Sequence, residues 1–218
     1  MREWQVGDPT GDGNDIGVPD VKYMDYLKNK DDDAAMRNRN VNPSEIEKSK
    51  MYQDEAVKLY QEKKFYDALT FINAAIKRNP NDEENWNLKG IILFNIFLYN
   101  DKDVAFEAYD SYNKALELDP YNKTIRNNKA VLLVHWALES FKISVAEAEK
   151  RVNEALSFFE DETCQEYPVA LYTKAYILNV NRNYDEALDY INKGLKALPD
   201  DEVMLELRRE ILDNRNIF

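Results

Sequence analysis

The sequence predicts an all-α chain of helix pairs stacked in a row, preceded by a polar N-terminal arm. Three observations carry that expectation. Turn-forming residues are scarce, with 6 Gly and 7 Pro in 218 residues, too few for a many-turned β protein. Small residues recur at fixed intervals with large apolar residues between them. Proline closes three of the resulting segments.

The elements follow in chain order. Residues 1–43 form an acidic, Asp- and Gly-rich stretch without helical periodicity, so a flexible arm is expected there. Within it DVKYMDYLK (20–28) is apolar enough to dock on another surface. The run GDPTGDGND (7–15) places Asp8, Thr10, Asp12 and Gly13 at positions a calcium loop would use. Its twelfth residue is Pro19 instead of Glu, and no helical pattern flanks it, so a solvated turn is expected and no metal.

From residue 44 onward the repeat begins. Three segments align: FYDALTFINAAIKRNPND (65–82), EAYDSYNKALELDPYN (107–122) and NYDEALDYINKGLKALPDD (183–201). Each carries an Ala, a large residue four later, a small one three after that, and Pro five further on. The sets are Ala68, Ile72, Ala75, Pro80; Ala108, Tyr112, Ala115, Pro120; and Ala187, Ile191, Gly194, Pro199. A weaker copy, Ala148, Val152 and Ala155, lacks the Pro. A second amphipathic segment precedes each, with its own small residue at Ala56, Gly90, Ala130 or Ala175 and anchors such as Tyr52, Trp86 and Leu171. Two helices approach closely only where small side chains meet, and Pro cannot donate the bond that would prolong a helix.

These motifs, WNLKG (86–90) with KALELDP (114–120) and YDEALDYINKGLKALP (184–199), resemble the tetratricopeptide repeat, a helix–turn–helix unit. The resemblance implies a right-handed α-solenoid over 44–218: about four repeats, approximately 44–82, 83–122, 123–167 and 168–200, and a capping helix over 201–218. Met204, Leu207 and Ile211 share one face of that last helix, with Glu202, Glu206, Arg209 and Glu210 opposite, as an open-ended stack needs. Capping boxes at Ser44–Glu47 and Ser144–Glu147 are expected to start the first and sixth helices. There are departures. Gly90 to Ala115, and Ala130 to Ala155, are each six residues longer than Ala56 to Ala75, through longer helices or longer turns. Arg126 stands at the anchor position of the third repeat, and EDETCQEY (160–167) where its Pro should be.

Composition narrows the function. The formal net charge of −12 at pH 7 repels phosphate backbones and anionic membranes, so neither nucleic acid nor a membrane is an expected partner. No run approaches the ~18–20 apolar residues of a membrane helix, and MREWQVGDPTGDGND lacks a signal-peptide core, so a cytoplasmic location is expected. Cys164 is the only cysteine and sits among acids that raise a thiol pKa, and His135 is the only histidine. No His-based triad or paired metal site has enough parts, and no Gly-rich phosphate loop occurs. Neither catalysis, a cofactor nor a small-molecule substrate is expected.

The resemblance implies that the first helix of each pair lines a concave groove. Register from the small residues then puts Gln53, Asn87, Asn127 and Tyr172 three positions before them, and Asp54, Leu88, Asn128 and Thr173 two before. Val57, Ile91, Val131 and Tyr176 lie one after, and Tyr60, Phe94, Asn95, Val134, His135 and Asn179 further along. The pattern is a ladder of amides beside an apolar stripe, suited to a peptide whose backbone offers both donors and acceptors. Alternatively, Val57, Ile91 and Val131 only complete packing between repeats. The peptide-binding set expected is Gln53, Val57, Tyr60, Asn87, Ile91, Phe94, Asn127, Asn128, Val131, His135, Tyr172 and Tyr176. Repeat domains of this kind that grip the C-terminal carboxylate of heat-shock chaperones need Lys and Arg at set positions. Gln53, Val57, Leu88, Thr124 and Asn128 stand there instead, or Asn87, Ile91, Asn128, Val169 and Thr173 one repeat on. The expected function is a protein-binding scaffold or adaptor. The alternatives are a structural or self-associating module of a larger complex, suggested by the apolar Ile217 and Phe218, or a co-chaperone-like assembly factor.

Overall fold

The computed structural model describes residue 38 and residues 41–99, 101–158 and 167–217. Most of the expected arm lies outside them, including the calcium-like turn and the 20–28 segment, as does Cys164. The helices are α1 (Pro43–Gln61), α2 (Phe65–Arg78), α3 (Glu83–Leu98), α4 (Ala105–Leu118), α5 (Lys123–Phe141), α6 (Val145–Phe158), α7 (Tyr167–Val180), α8 (Tyr184–Ala197) and α9 (Glu202–Ile217). A short 3-10 turn, Lys102–Val104, precedes α4, and no strand occurs among the described residues. The chain divides into two units with the boundary inside α5, between Ile125 and Arg126. In the first, α1 packs on α2, α2 on α3 and α3 on α4; in the second, α6 packs on α7, α7 on α8 and α8 on α9.

Helix starts and stops are written locally. After Pro80, Pro120 and Pro199 the chain advances two residues to Asp82, Asn122 and Asp201. These side chains accept from the backbone N–H of Glu84, Ile125 and Met204 at 3.0, 3.2 and 2.9 Å. Stop and start signals are therefore one short cassette repeated three times. The α1 start departs from expectation. Asn42, not Ser44, is the cap, its Oδ1 accepting from Ser44 N–H at 2.9 Å with Pro43 in the first turn, where a missing N–H costs nothing. At α6 Ser144 Oγ does accept from Glu147 N–H at 3.3 Å, but the Glu147 carboxylate turns to Arg151 at 2.9 Å.

The extra residues of the middle repeats are resolved differently. α1 ends five residues past Ala56 and α7 five past Ala175, each followed by a three-residue link. α5 runs on to Phe141, eleven past Ala130, so its insertion is all helix. α3 takes half as helix, ending at Leu98, and half as a longer link containing the 3-10 turn.

The crossings are where the small residues sit. Ala56, Ala68, Ala75, Ala108, Ala115, Ala130, Ala148, Ala155, Ala175 and Ala187 are all fully buried. At Gly90 of α3 the approach is closest: a Cβ built there would lie 2.6 Å from the Tyr112 ring of α4. At Gly194 of α8 the nearest atom is the Met204 sulfur of α9, at 3.0 Å. Polar bonds lock the first unit's corner. Ser49 Oγ donates to the Ala75 carbonyl at 2.9 Å and accepts from Asn85 Nδ2 at 3.0 Å, tying α1, α2 and α3. Trp86 Nε1 donates to the Pro80 carbonyl at 2.8 Å, fixing the turn between α2 and α3.

Lys89, Lys129 and Lys174, one residue before the small residue of α3, α5 and α7, are largely buried. Each pairs with an acid on a second helix: Glu107 at 2.9 Å, Glu154 at 2.8 Å and Glu149 at 2.7 Å. Arg126, in place of an aromatic anchor, lies 5.8 Å over the Phe158 ring at the end of α6.

Ala68→Leu should overpack the α1–α2 crossing and cost about 1–3 kcal/mol in denaturant unfolding. Gly90→Ala should also cost about 1–3 kcal/mol, because the buried Tyr112 ring cannot swing away and its displacement outweighs a propensity gain of about 1 kcal/mol. Gly194→Ala should stay within about 1 kcal/mol of wild type, since the flexible Met204 thioether can yield.

Candidate functional site

In the first unit, α1 presents Gln53, Val57 and Tyr60 one turn apart, and α3 presents Asn87 and Ile91. Val57 is 37% exposed and the others half-buried. The structure joins the two rows at Tyr60, whose hydroxyl accepts from Asn95 Nδ2 at 3.1 Å, the same amide donating to the Ile91 carbonyl at 3.0 Å. Tyr60 also packs on Phe65, at 5.7 Å, and Phe65 on Tyr99, at 5.4 Å. Burial pushes the Tyr60 phenol up, and the bond from Asn95 pulls partly against it. Phe94 differs from expectation. It is buried, stacked 6.4 Å from Phe97, because α3 carries apolar residues around most of its circumference and is enclosed on nearly all sides.

In the second unit, Asn127, Asn128, Val131 and His135 of α5 are half-buried, while Val134 is in the core. The structure brings together Tyr172 and Tyr176 of α7, stacked at 6.4 Å and 14° from parallel. Phe141 joins them, 5.0 Å from Tyr176. Burial raises the Tyr172 phenol pKa, followed by Tyr176 and the charges of Glu210, Glu206 and Asp201. Asn179, expected on the open wall, is buried: its Nδ2 donates to Glu210 at 2.9 Å, and its Oδ1 accepts from Asn214 Nδ2 at 3.2 Å.

Phe141, Glu206, Glu210 and Asn214 were not anticipated on this surface. Phe141 arrives because α5 runs six residues further past its small residue than α1 or α7 does. The α9 residues carried a signal, the polar face of the last helix, which reads equally well as a solvated cap. Among the described residues no group of three or more His, Cys, Asp or Glu is placed to hold a metal ion. No described helix is long and apolar enough to cross a membrane.

No family model matches the sequence, and no curated protein matches it. Solved structures do match. The MamA protein superposes with a TM-score of 0.52 at 18% identity, over 77% of this chain and 88% of that one. PilF of Pseudomonas aeruginosa gives 0.51 at 17%, over 80% and 72%. A tetratricopeptide repeat protein from Parabacteroides merdae gives 0.50 at 18%, over 90% and 72%. At such identities the likeness concerns fold alone. The chain has the all-α, helix-pair fold of the tetratricopeptide-repeat proteins.

The phenol shift has a measurable consequence. Tyr172 keeps its proton to higher pH folded than unfolded, where it is released near 10. Above that pH the unfolded chain therefore binds fewer protons, so this contribution to stability is complete below about pH 10 and lost as pH rises. Tyr172→Phe should make the urea midpoint fall less steeply between neutral pH and pH values above 10. An identical slope would contradict the shift.

Proposed function

We propose that the chain is a non-catalytic interaction scaffold that holds a peptide segment of another protein against the first helices of its repeats. What supports this reading is the run of half-exposed amide, aliphatic and aromatic side chains at one register. These are Gln53, Val57, Asn87 and Ile91 in the first unit, and Asn127, Asn128, Val131, His135, Tyr172 and Tyr176 in the second. The opposite faces of these helices go into the core. Side-chain amides satisfy backbone donors and acceptors of an extended chain alike, and apolar neighbours exclude water around them. The net charge of −12 favours a protein partner over nucleic acid.

A second reading, self-association or docking into a larger complex, is favoured by large apolar side chains left in solvent. Ile143, in the α5–α6 link, is 91% exposed, and Tyr66, Tyr99 and Phe106 are each more than 60% exposed. Sedimentation across a concentration series separates the two, since a monomer at high concentration removes self-association.

For the groove, the partner captured from native lysate serves as titrant. Val57→Asp, and separately Asn127→Ala with Asn128→Ala, should each weaken it by about tenfold without loss of helical circular dichroism. Unchanged affinity in both variants would place the partner elsewhere.

A further inference from the structure

In the second unit, cations lie over three aromatic rings. Arg151 lies 4.1 Å from the Trp136 ring centroid, Lys129 4.5 Å from Phe158 and Lys193 5.1 Å from Tyr190. Over the stacked pair Tyr172 and Tyr176, no Lys or Arg stands on either ring among the described residues. Beside it, Glu206 and Glu210 lie one turn apart on the exposed side of α9. Tyr172 and Tyr176 pack against Met204, Leu207 and Ile211 of α9, and Glu210 bonds Asn179, three residues after Tyr176 on α7; the charges of Glu206 and Glu210 bear on the Tyr172 phenol as well. Neither glutamate has a cationic partner among the described residues. Glu210 accepts one bond from Asn179, leaving the rest of its carboxylate open.

We propose that this surface receives a lysine or arginine side chain of the bound peptide, the cation over the Tyr172 and Tyr176 rings and its charge against Glu206 and Glu210. The proposal rests on the peptide-scaffold reading above and adds the chemistry of the partner. The physical reason is complementarity. Tyrosine faces attract cations through the ring quadrupole, increasingly as water is excluded. An acidic peptide would be repelled, and an apolar one would cover two carboxylates with nothing to offset their lost hydration. Only a basic segment satisfies rings and carboxylates together, and the net charge of −12 draws it in.

The test is selection of a random peptide display library on the full chain. Synthetic copies of the enriched peptides are then titrated against wild type and three variants: Tyr172→Leu with Tyr176→Leu, Glu206→Gln with Glu210→Gln, and a control, Glu186→Gln with Asp189→Asn, on the exposed face of α8. Enriched peptides should be rich in Lys and Arg. They should bind both site variants about tenfold more weakly and the control like wild type. Peptides that depend on Tyr172 and Tyr176 but show no basic preference overturn this inference and leave the scaffold reading standing. Binding indifferent to all variants, or no enrichment at all, overturns both for this unit. Equal weakening by the control reports only the overall negative field and also overturns the proposal. Should the tyrosine variant fail to fold, the isosteric glutamate variant decides alone.

Discussion

The distance of closest approach between paired helices is the constraint on which everything else depends. The small residues that recur along α1 to α8 are alanine or glycine, and they are buried. At the tightest point even a methyl group is excluded, because the Tyr112 ring fills the space above Gly90. The large residues four positions along, Ile72, Tyr112, Val152 and Ile191, occupy the grooves that this proximity opens. A helix pair spaced by larger residues would leave those side chains without partners, and the packing contacts of a dense interior would go with them.

Charge is fitted into this frame, not set against it. Lys89, Lys129 and Lys174 occupy the position just before a small residue, where the flanking helix is close enough to cover the aliphatic stem. Each ammonium then meets a glutamate at salt-bridge distance with the carboxylate nearer to solvent. Such pairs add modestly to stability but penalise any register that would bury one partner alone. The first repeat has Glu55 at the same position, and there the charge stays outside, near Lys58 at 3.4 Å.

The same closeness shapes the surface opposite the crossings. Side chains on the outer turn of α1, α3, α5 and α7 are only half covered, and neighbouring residues compete for the polar groups among them. Asn95 turns to Tyr60, and Asn179 to Glu210 and Asn214, so two members of the expected amide ladder are spent on internal bonds. Aromatic residues take the remaining area in the second unit, where the extension of α5 delivers Phe141 to Tyr176. The surface is therefore more aromatic and more acidic there than a count of amides along the first helices suggests.

Local signals were legible without the structure. Small–large–small spacing identified the buried small residues of α1 to α8, because burial at a helix contact tolerates so few side-chain sizes. Pro80, Pro120 and Pro199 each marked a helix end, because proline lacks the N–H that continuation needs. The polar and apolar faces of the last helix were legible too, since 3.6 residues per turn leave little choice of which side is buried. Tertiary structure decided what depends on distance between elements. It determined that the insertion in α5 is helix while that before α4 is shared with a link, and that Phe94 goes inward. It also determined that Asn42 rather than Ser44 caps the first helix, and that Glu210 meets Asn179 of the helix that carries the stacked tyrosines. Periodicity reports which side of a helix is covered; only the packed chain determines what covers it.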